Sequence, residues 1–188
     1  MPRQPGVTYA VSDTGPLISA FQSDSFGVLA RIFAKIHTSR ECWDELLIHG
    51  WEEQVQAAMP KLAVVELTSR EKEMALGIAQ QIANHPDTND PIAENHLGEA
   101  QAIALTLRAE YRADLLLLDE LAARVIAKER GLKLSGFPGV LLLAVRAELM
   151  SADELRTRLE MCRAQGTHYG VRFIEQVYAM AKQEWRKI

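Results

Sequence analysis

The sequence predicts an α/β fold in which helices cover both faces of a central, mostly parallel sheet. Short apolar segments alternate with segments of helical periodicity along the chain, which is typical of this class. Two of the apolar segments, 9–12 and 115–118, each run directly into an aspartate, Asp13 or Asp119. Strands buried on both faces have such continuous apolar runs, and ligands gather outside the carboxyl ends of parallel strands. Asp13 and Asp119 are therefore predicted at the functional edge of the sheet.

Turn formers, caps and periodicity place the elements of the first half. Pro16 is suited to the first turn of a helix, the Thr38 and Glu41 pair has capping-box spacing, and Gly50 is placed to end a helix. The predicted order is a tail (1–6), a strand (7–12), a helix from Pro16, a short helix (26–33), a strand (35–37), a capped helix ending at Gly50, a strand (62–67) and a helix (69–83).

The second half begins with a loop at 84–91, which is dense in Asn, Asp and Pro and is expected to border the crevice at the sheet edge. Small and apolar residues then recur at helical spacing from Leu97. The predicted order is a helix from Leu97, a strand (114–118), a helix from Leu121 ended by Gly131, a short edge strand (132–134) and helices at 140–149, 152–164 and 171–185. We predict one main domain over 7–150 and a C-terminal helical extension over 151–188 packed on it.

Composition restricts the class of protein. A hydrophobic content of 48% with 24% charged residues is that of a globular domain and excludes a disordered chain. The net charge of −4 argues against a general electrostatic grip on nucleic acid. Cys42 and Cys162 lack metal-site spacing and suggest no disulfide framework. No stretch approaches the roughly 20 apolar residues of a membrane span, and the first residues lack the apolar core of a signal peptide. We expect a cytoplasmic protein without membrane contact.

Four acids are the candidate site residues, and each has an ordinary alternative. Asp13 suits an Asx-turn that ends the strand, and Asp119 suits the N-cap of the next helix. Glu99 suits the first turn of its helix through the helix dipole, and Glu45 suits a solvated helix face. Glu120 has the spacing of an i,i+4 ion pair with Arg124.

As a set, the acids indicate a metal centre. Two of them follow strands and two lie on helices that lead to the same sheet edge, where like charges packed together need a neutralising cation. Oxygen-only ligands favour Mg²⁺ or Mn²⁺ over zinc. Such ions activate water and stabilise the charge that develops on a phosphodiester, so this chemistry is that of a nuclease.

The pattern resembles the PIN domain, a small metal-dependent ribonuclease fold found in many toxins of toxin–antitoxin pairs. The chain also resembles an uncharacterised PIN-like subgroup with a Gly-Glu-Ala motif at the third acidic position, and the similarity covers about residues 7–150. The matching stretches are Val11-Ser12-Asp13-Thr14-Gly15-Pro16-Leu17-Ile18, Trp43-Asp44-Glu45-Leu46, Leu97-Gly98-Glu99-Ala100-Gln101-Ala102-Ile103-Ala104-Leu105, Leu116-Leu117-Leu118-Asp119-Glu120 with Ala123-Arg124, and the 127–136 continuation.

The resemblance implies a three-layer α/β/α sandwich and an RNA-cleaving site. It assigns Asp13, Glu45, Glu99 and Asp119 to the four acids that hold Mg²⁺ or Mn²⁺ and position the attacking water. Glu120 becomes an auxiliary acid, and Ser12 or Thr14 a hydrogen-bond donor to the first carboxylate. RNA as substrate, a small antitoxin as partner and a homodimer are likewise implied. Two departures stand out: a glutamate occupies the third position instead of the commoner aspartate, and residues 50–95 match no motif.

Three further hypotheses remain open at this stage. Arg124 and Lys128, one helical turn apart, form a local basic stripe that either contacts RNA phosphates or is simply solvated. An aspartyl-phosphate phosphatase also begins with an aspartate at a strand end, but it needs a second aspartate where this chain has Gly15. A catalytically degenerate domain that binds RNA or protein is the main alternative to the nuclease. It would use the apolar stripes of the C-terminal helices, with Val171, Ile174, Val177, Tyr178 and Trp185, as a partner surface.

Overall fold

A five-stranded, fully parallel sheet with the order β3-β2-β1-β4-β5 forms the centre of the molecule. The structure is a computed structural model that describes residues 8–112 and 114–185. The predicted N-terminal tail, the first residue of the predicted first strand and the side chain of Trp185 lie outside the described residues. The strands are β1 (Tyr9–Ser12), β2 (Lys35–Ser39), β3 (Leu62–Val65), β4 (Leu115–Leu117) and β5 (Leu134–Ser135).

Helices connect consecutive strands and cover both faces of the sheet, which confirms the predicted three-layer α/β/α class. One short 3-10 helix, Ala93–His96, precedes α6. The α-helices of the described residues are α1 (Thr14–Gln22), α2 (Phe26–Ile32), α3 (Arg40–Ile48), α4 (Glu52–Ala58), α5 (Ser69–Ala83), α6 (Leu97–Leu107), α7 (Leu121–Glu129), α8 (Phe137–Arg146), α9 (Ala152–Ala164) and α10 (Val171–Trp185).

Alternate strand residues point to two separate apolar layers. Ala10, Ile36 and Leu117 pack on one face with α1–α4 and α8–α10. Val11 and Leu116 pack on the other face with α5–α7. The central strand β1 is therefore buried on both sides, as its continuous apolar sequence predicts. Within the described residues, no helix combines the length and the apolar character that a membrane crossing requires.

An ion pair with two hydrogen bonds ties α5 to the end of α6. Glu71 accepts hydrogen bonds of 2.8 Å from Nε and from a terminal nitrogen of Arg108. Glu71 also closes a capping box with Thr68 at the start of α5. These donors lower the pKa of Glu71 to about 2, the Arg108 hydrogen bond being the largest cause.

Several predicted boundaries are wrong by a few residues. The first helix begins at Thr14 with Asp13 as its N-cap, so Pro16 is its third residue and not its first. The capping residue of α3 is Ser39, whose hydroxyl accepts from the amide of Cys42, because β2 continues through the predicted cap. The fourth helix was not predicted, β3 ends two residues early, and α8 begins at Phe137.

Other predicted boundaries are confirmed. The fifth, ninth and tenth helices match the predicted ranges, and α3 and α7 end shortly before Gly50 and Gly131. Residues 84–91 contain neither helix nor strand. Thr88, Asp90 and His96 join this loop to the 3-10 helix by hydrogen bonds.

Candidate active site

Asp13 lies where the central strand meets α1. Its backbone amide donates to the carbonyl of Leu117 at 3.0 Å, which continues the β1–β4 ladder, and its carboxylate accepts from the amide of Gly15 as the helix cap. The residue is 5% exposed. Burial, and next the negative charge of Glu99, raise the pKa of Asp13 well above its ordinary value. Asp13 therefore caps α1, which is the alternative role considered from sequence, and its carboxylate also has a raised pKa.

Glu45 reaches the same place from α3. Its Oε2 accepts a hydrogen bond of 2.6 Å from the hydroxyl of Thr14, and its Oε1 lies 3.9 Å from Nε2 of His49. Cys42, one turn earlier on α3, directs its thiol to Asp13 Oδ1 at 3.6 Å. The helix therefore aligns one carboxylate and one thiol toward the end of β1.

Gly98 occupies the space between the first two carboxylates. A Cβ at this position would lie 3.2 Å from Asp13 Oδ1 and 3.3 Å from Glu45 Oε2, closer than ordinary van der Waals contact. The glycine of the Gly-Glu-Ala motif thus lets the start of α6 approach both acids. Because Glu99 follows directly, the same turn of helix adds a third carboxylate to the cluster.

Glu99 lies in the first turn of α6 and is only partly exposed. Its pKa is raised from 4.5 to about 7, chiefly by burial and then by the charges of Glu45, Glu120 and Asp90, against the lowering effect of its own backbone amide. Asp13, Glu45 and Glu99 are coupled by charge, and we call these three residues the acidic cluster.

Asp119 reaches the sheet edge two residues after β4 but is held by different groups. Its Oδ1 accepts from the amide of Phe137 at 3.0 Å, at the start of α8, and its Oδ2 from the hydroxyl of Tyr169 at 3.4 Å. A Cβ at Gly136 would collide with Oδ1, so a glycine is required beside this carboxylate. Burial raises the pKa of Asp119, while the Phe137 amide, the charge of Arg124 and the Tyr169 hydroxyl oppose the rise.

The remaining predicted site residues have contacts that sequence did not indicate. Glu120, and not Asp119, caps α7 by accepting from the amide of Ala123. Ser12 donates to the backbone carbonyl of Asp13 at 2.8 Å, so neither its hydroxyl nor that of Thr14 donates to the Asp13 carboxylate. Both residues are buried where β1 meets α1.

The two residues of the predicted basic stripe, Arg124 and Lys128, have different surroundings in the structure. Arg124 donates to the backbone carbonyl of Leu118 at 2.6 Å and lies beside Gly136. Lys128, one turn further along α7, is exposed. Arg124 thus supports the strand end that carries Asp119, and Lys128 is the more accessible of the two cations.

A cavity of about 480 Å³ opens beside Asp119, and we call it the side cavity. Its walls come from α1, the 84–91 loop, the start of α7 and the segment 167–169 between α9 and α10. Sequence reasoning missed this last segment because it lies about 50 residues from Asp119 and carries no motif. Tyr169 also contacts Ser19 Oγ at 3.3 Å, and Thr167 donates to Gln22 Oε1 at 2.6 Å, so the segment is fastened to α1.

The fold therefore brings together Asp13, Glu45 and Glu99, while Asp119 follows the neighbouring strand at the same sheet edge and is held by Phe137 and Tyr169. Within residues 8–112 and 114–185, no three His, Cys, Asp or Glu side chains are arranged as a ready metal-binding group. The donor chemistry nevertheless fits a hard divalent cation, because the cluster offers carboxylate oxygens and the charge of Glu45 helps to raise the pKa of both Asp13 and Glu99.

Comparison with protein families identifies the family of the chain. A family model described as a PIN domain matches residues 9–183, which covers the five strands and extends into α10. A search of curated proteins finds no significant relative.

Proposed function

Since this chain belongs to the PIN domain family, a family of nucleases, we propose that it is a divalent-metal-dependent endoribonuclease that hydrolyses RNA phosphodiester bonds. The observation that carries the proposal is the convergence of Asp13 and Glu45 on Gly98, with Glu99 on the next residue. Three carboxylates in one partly buried crevice repel each other without a cation, and perturbed carboxylates of this kind are typical of functional sites.

In this proposal Asp13, Glu45, Glu99 and Asp119 hold Mg²⁺ or Mn²⁺, with Glu120 as an auxiliary acid. The ion, when bound, lowers the pKa of a water molecule and neutralises charge that develops on the phosphate. A glutamate at the third position is compatible with this role. Gly98 allows the backbone of α6 to approach Asp13 and Glu45, so the side chain of the next residue, Glu99, begins close to both carboxylates.

The other residues of the site orient these acids. Thr14 fixes Glu45 Oε2, and the start of α8 together with Tyr169 fixes both oxygens of Asp119. Fixed carboxylates need less reorganisation when charge develops in the reaction. Lys128 is exposed on α7 and is the candidate contact to an RNA phosphate on a chain with net charge −4.

The direct test is cleavage of a mixed RNA pool by the purified protein with Mn²⁺, Mg²⁺ or EDTA. We expect metal-dependent cleavage that Asp13→Asn, Glu45→Gln and Asp119→Asn each abolish. Asp44→Asn is the matched control, since Asp44 adjoins Glu45 on α3 but faces Arg40, outside the acidic cluster. Cleavage that persists in EDTA, or in Asp13→Asn, contradicts the proposal.

The same experiment separates the nuclease from a degenerate binding module. If wild-type protein does not cleave RNA and calorimetry detects no heat with Mn²⁺ at millimolar concentration, the acidic cluster is not a metal centre. The chain then functions as an RNA- or protein-binding domain, and RNA binding without added metal becomes the measurement to make.

We also propose, from family membership, that the enzyme acts as the toxin of a toxin–antitoxin pair in the cytoplasm, as a homodimer held inactive by a small antitoxin. Induced expression is then expected to arrest bacterial growth, and Asp13→Asn to relieve the arrest. Normal growth with active soluble enzyme excludes the toxin role, and sedimentation measures the oligomeric state.

A further inference from the structure

The side cavity has the size of a small-ligand site and lies directly beside the proposed reaction centre. Its volume of about 480 Å³ falls within the roughly 300–1,000 Å³ range of ligand pockets. Asp119, a proposed metal ligand, forms part of its wall. A group that enters the cavity is therefore adjacent to a phosphate at the metal centre, whereas a double helix does not fit inside.

The walls are suited to a flat ring. Ile18 and Leu121 supply apolar contacts, and Leu121 is 66% exposed and so accessible to a ligand. Tyr169 supplies an aromatic surface, backed by Phe173 at a ring-centre distance of 5.7 Å and an interplanar angle of 29°. Exposed aromatic and apolar faces of this kind stack on unpaired bases.

The negative charge of the cavity favours the base of a nucleotide over its phosphate. Asp87, Asp119 and Glu120 line it, and no Lys or Arg is among its described lining residues. A phosphate inside the cavity would be repelled, whereas an uncharged base would not. Asp119 and Glu120 are assigned to the metal, so Asp87, on the rim of the 84–91 loop, is the carboxylate that remains available to a base edge.

A carboxylate accepts hydrogen bonds and donates none, so it discriminates among bases. Adenine, cytosine and guanine each present an exocyclic amino group, and carboxylates accept from such groups as they do from cytosine N4. Uracil presents carbonyl oxygens at the corresponding positions, and its one ring donor, N3–H, lies between two carbonyl oxygens that repel a carboxylate. Asp87 therefore favours an amino-bearing base over uracil.

We propose that the side cavity binds one amino-bearing base of the RNA, on the nucleotide next to the scissile phosphate, with Asp87 accepting from its amino group. This inference rests on the proposed nuclease function where it names RNA as the substrate. The binding of a base to the cavity does not depend on that function. Segment 167–169 is then part of the substrate site, and the C-terminal helices α9 and α10 are needed to form it.

Two measurements test the proposal, and the first needs no cleavage. Cytidine and uridine are titrated separately into the protein in EDTA and followed by NMR. We expect cytidine to shift signals of Ile18 and Tyr169 and to bind several-fold more tightly than uridine. Asp87→Asn should remove the preference, because an amide donates to uracil as well as accepting. Leu121→Asn should weaken cytidine binding roughly fivefold or more.

The second measurement sequences the ends produced by cleavage of a random RNA pool. We expect uracil to be depleted on one side of the cut by wild-type enzyme and to recover in Asp87→Asn. Asp44→Asn and Leu76→Asn are the matched controls, since Asp44 and Leu76 are exposed on α3 and α5 and do not line the cavity. Both should retain the wild-type preference.

The outcomes separate this inference from the proposed function. Cytidine binding without RNA cleavage supports the base site and contradicts the nuclease. Metal-dependent cleavage with equal use of all four bases, and with no nucleoside-induced shifts at the cavity, overturns the base site and leaves the nuclease intact.

Discussion

Glu99→Gln is expected to stabilise the metal-free protein above neutral pH, although it removes a proposed catalytic residue. In the folded chain the pKa of Glu99 is about 7, whereas an ordinary glutamate ionises near 4.5. Between these values the folded state binds more protons than the unfolded state, so stability falls as pH rises through this window. Above about pH 7 the folded state carries the full cost of the buried charge.

The size of the effect follows from the two pKa values. The difference between 4.5 and about 7 is about 2.5 pH units, and each unit corresponds to about 1.4 kcal/mol, or roughly 3.5 kcal/mol in total. Water at the partly exposed carboxylate screens some of this energy, which leaves about 1–3 kcal/mol. Glutamine does not ionise, so the variant should lose this part of the pH dependence.

Urea unfolding in EDTA at about pH 5 and about pH 8.5 measures the difference. We expect wild type to lose about 1–3 kcal/mol between the two conditions relative to Glu99→Gln. Glu94→Gln, at an exposed glutamate of the preceding 3-10 helix, is the control. Parallel pH profiles for wild type and Glu99→Gln would refute the reasoning, because they would mean that Glu99 ionises without a penalty. Mn²⁺ should stabilise wild type at the higher pH and Glu99→Gln far less.

Three other changes test separate parts of the structure. Gly98→Ala should abolish metal-dependent cleavage, because its Cβ pushes into the carboxylates, while the helix gains up to about 1 kcal/mol in propensity. Glu71→Gln should lower the free energy of unfolding by about 1–3 kcal/mol at neutral pH, by weakening the pairing with Arg108. Because the pKa of Glu71 is about 2, that difference should hold above about pH 4.5 and vanish as pH falls through 2. Tyr169→Phe should lower kcat several-fold with little change in KM, because Asp119 loses one donor.

Each of these variants has a counterpart elsewhere in the chain. Gly77→Ala tests propensity alone, since nothing lies within 4 Å of a Cβ at that position in α5. Glu73→Gln changes an exposed glutamate on the same helix as Glu71. Tyr178→Phe removes an exposed hydroxyl that donates to Asp153. If one of these control variants shows the effect that is expected of its test variant, the geometric explanation of that effect is wrong.

Long periodic segments were predictable from sequence, and short ones were not. The fifth, ninth and tenth helices are 13–15 residues long and were predicted with correct limits. By contrast, α4 has seven residues and buries only Val55 and Ala58, which is too little periodicity to detect. The cap of α3 was misplaced by one residue because Thr38 and Ser39 are both good caps. Because Ser39 pairs with Val65, β2 continues past Thr38 to Ser39, and Ser39 becomes the cap of α3.

The site was predictable where a residue follows a strand or belongs to a motif. Asp13 and Asp119 follow buried strands, and Gly98 precedes Glu99 in a short motif. Their donors were not predictable: Phe137 and Tyr169 lie 18 and 50 residues from Asp119. Such contacts depend on how α8 and the α9–α10 connection pack, and no local pattern carries that information.

We expect stability and metal binding to be opposed at the proposed metal site, for a reason of topology. The central strand β1 is covered on both faces, so the aspartate at its end has little water and its pKa rises well above the ordinary value. The same lack of water strengthens attraction between that carboxylate and a cation. At an edge strand such as β5, which is only partly buried, both effects would be smaller. A substitution that relieves repulsion in the acidic cluster should therefore weaken Mn²⁺ affinity as it stabilises the metal-free fold.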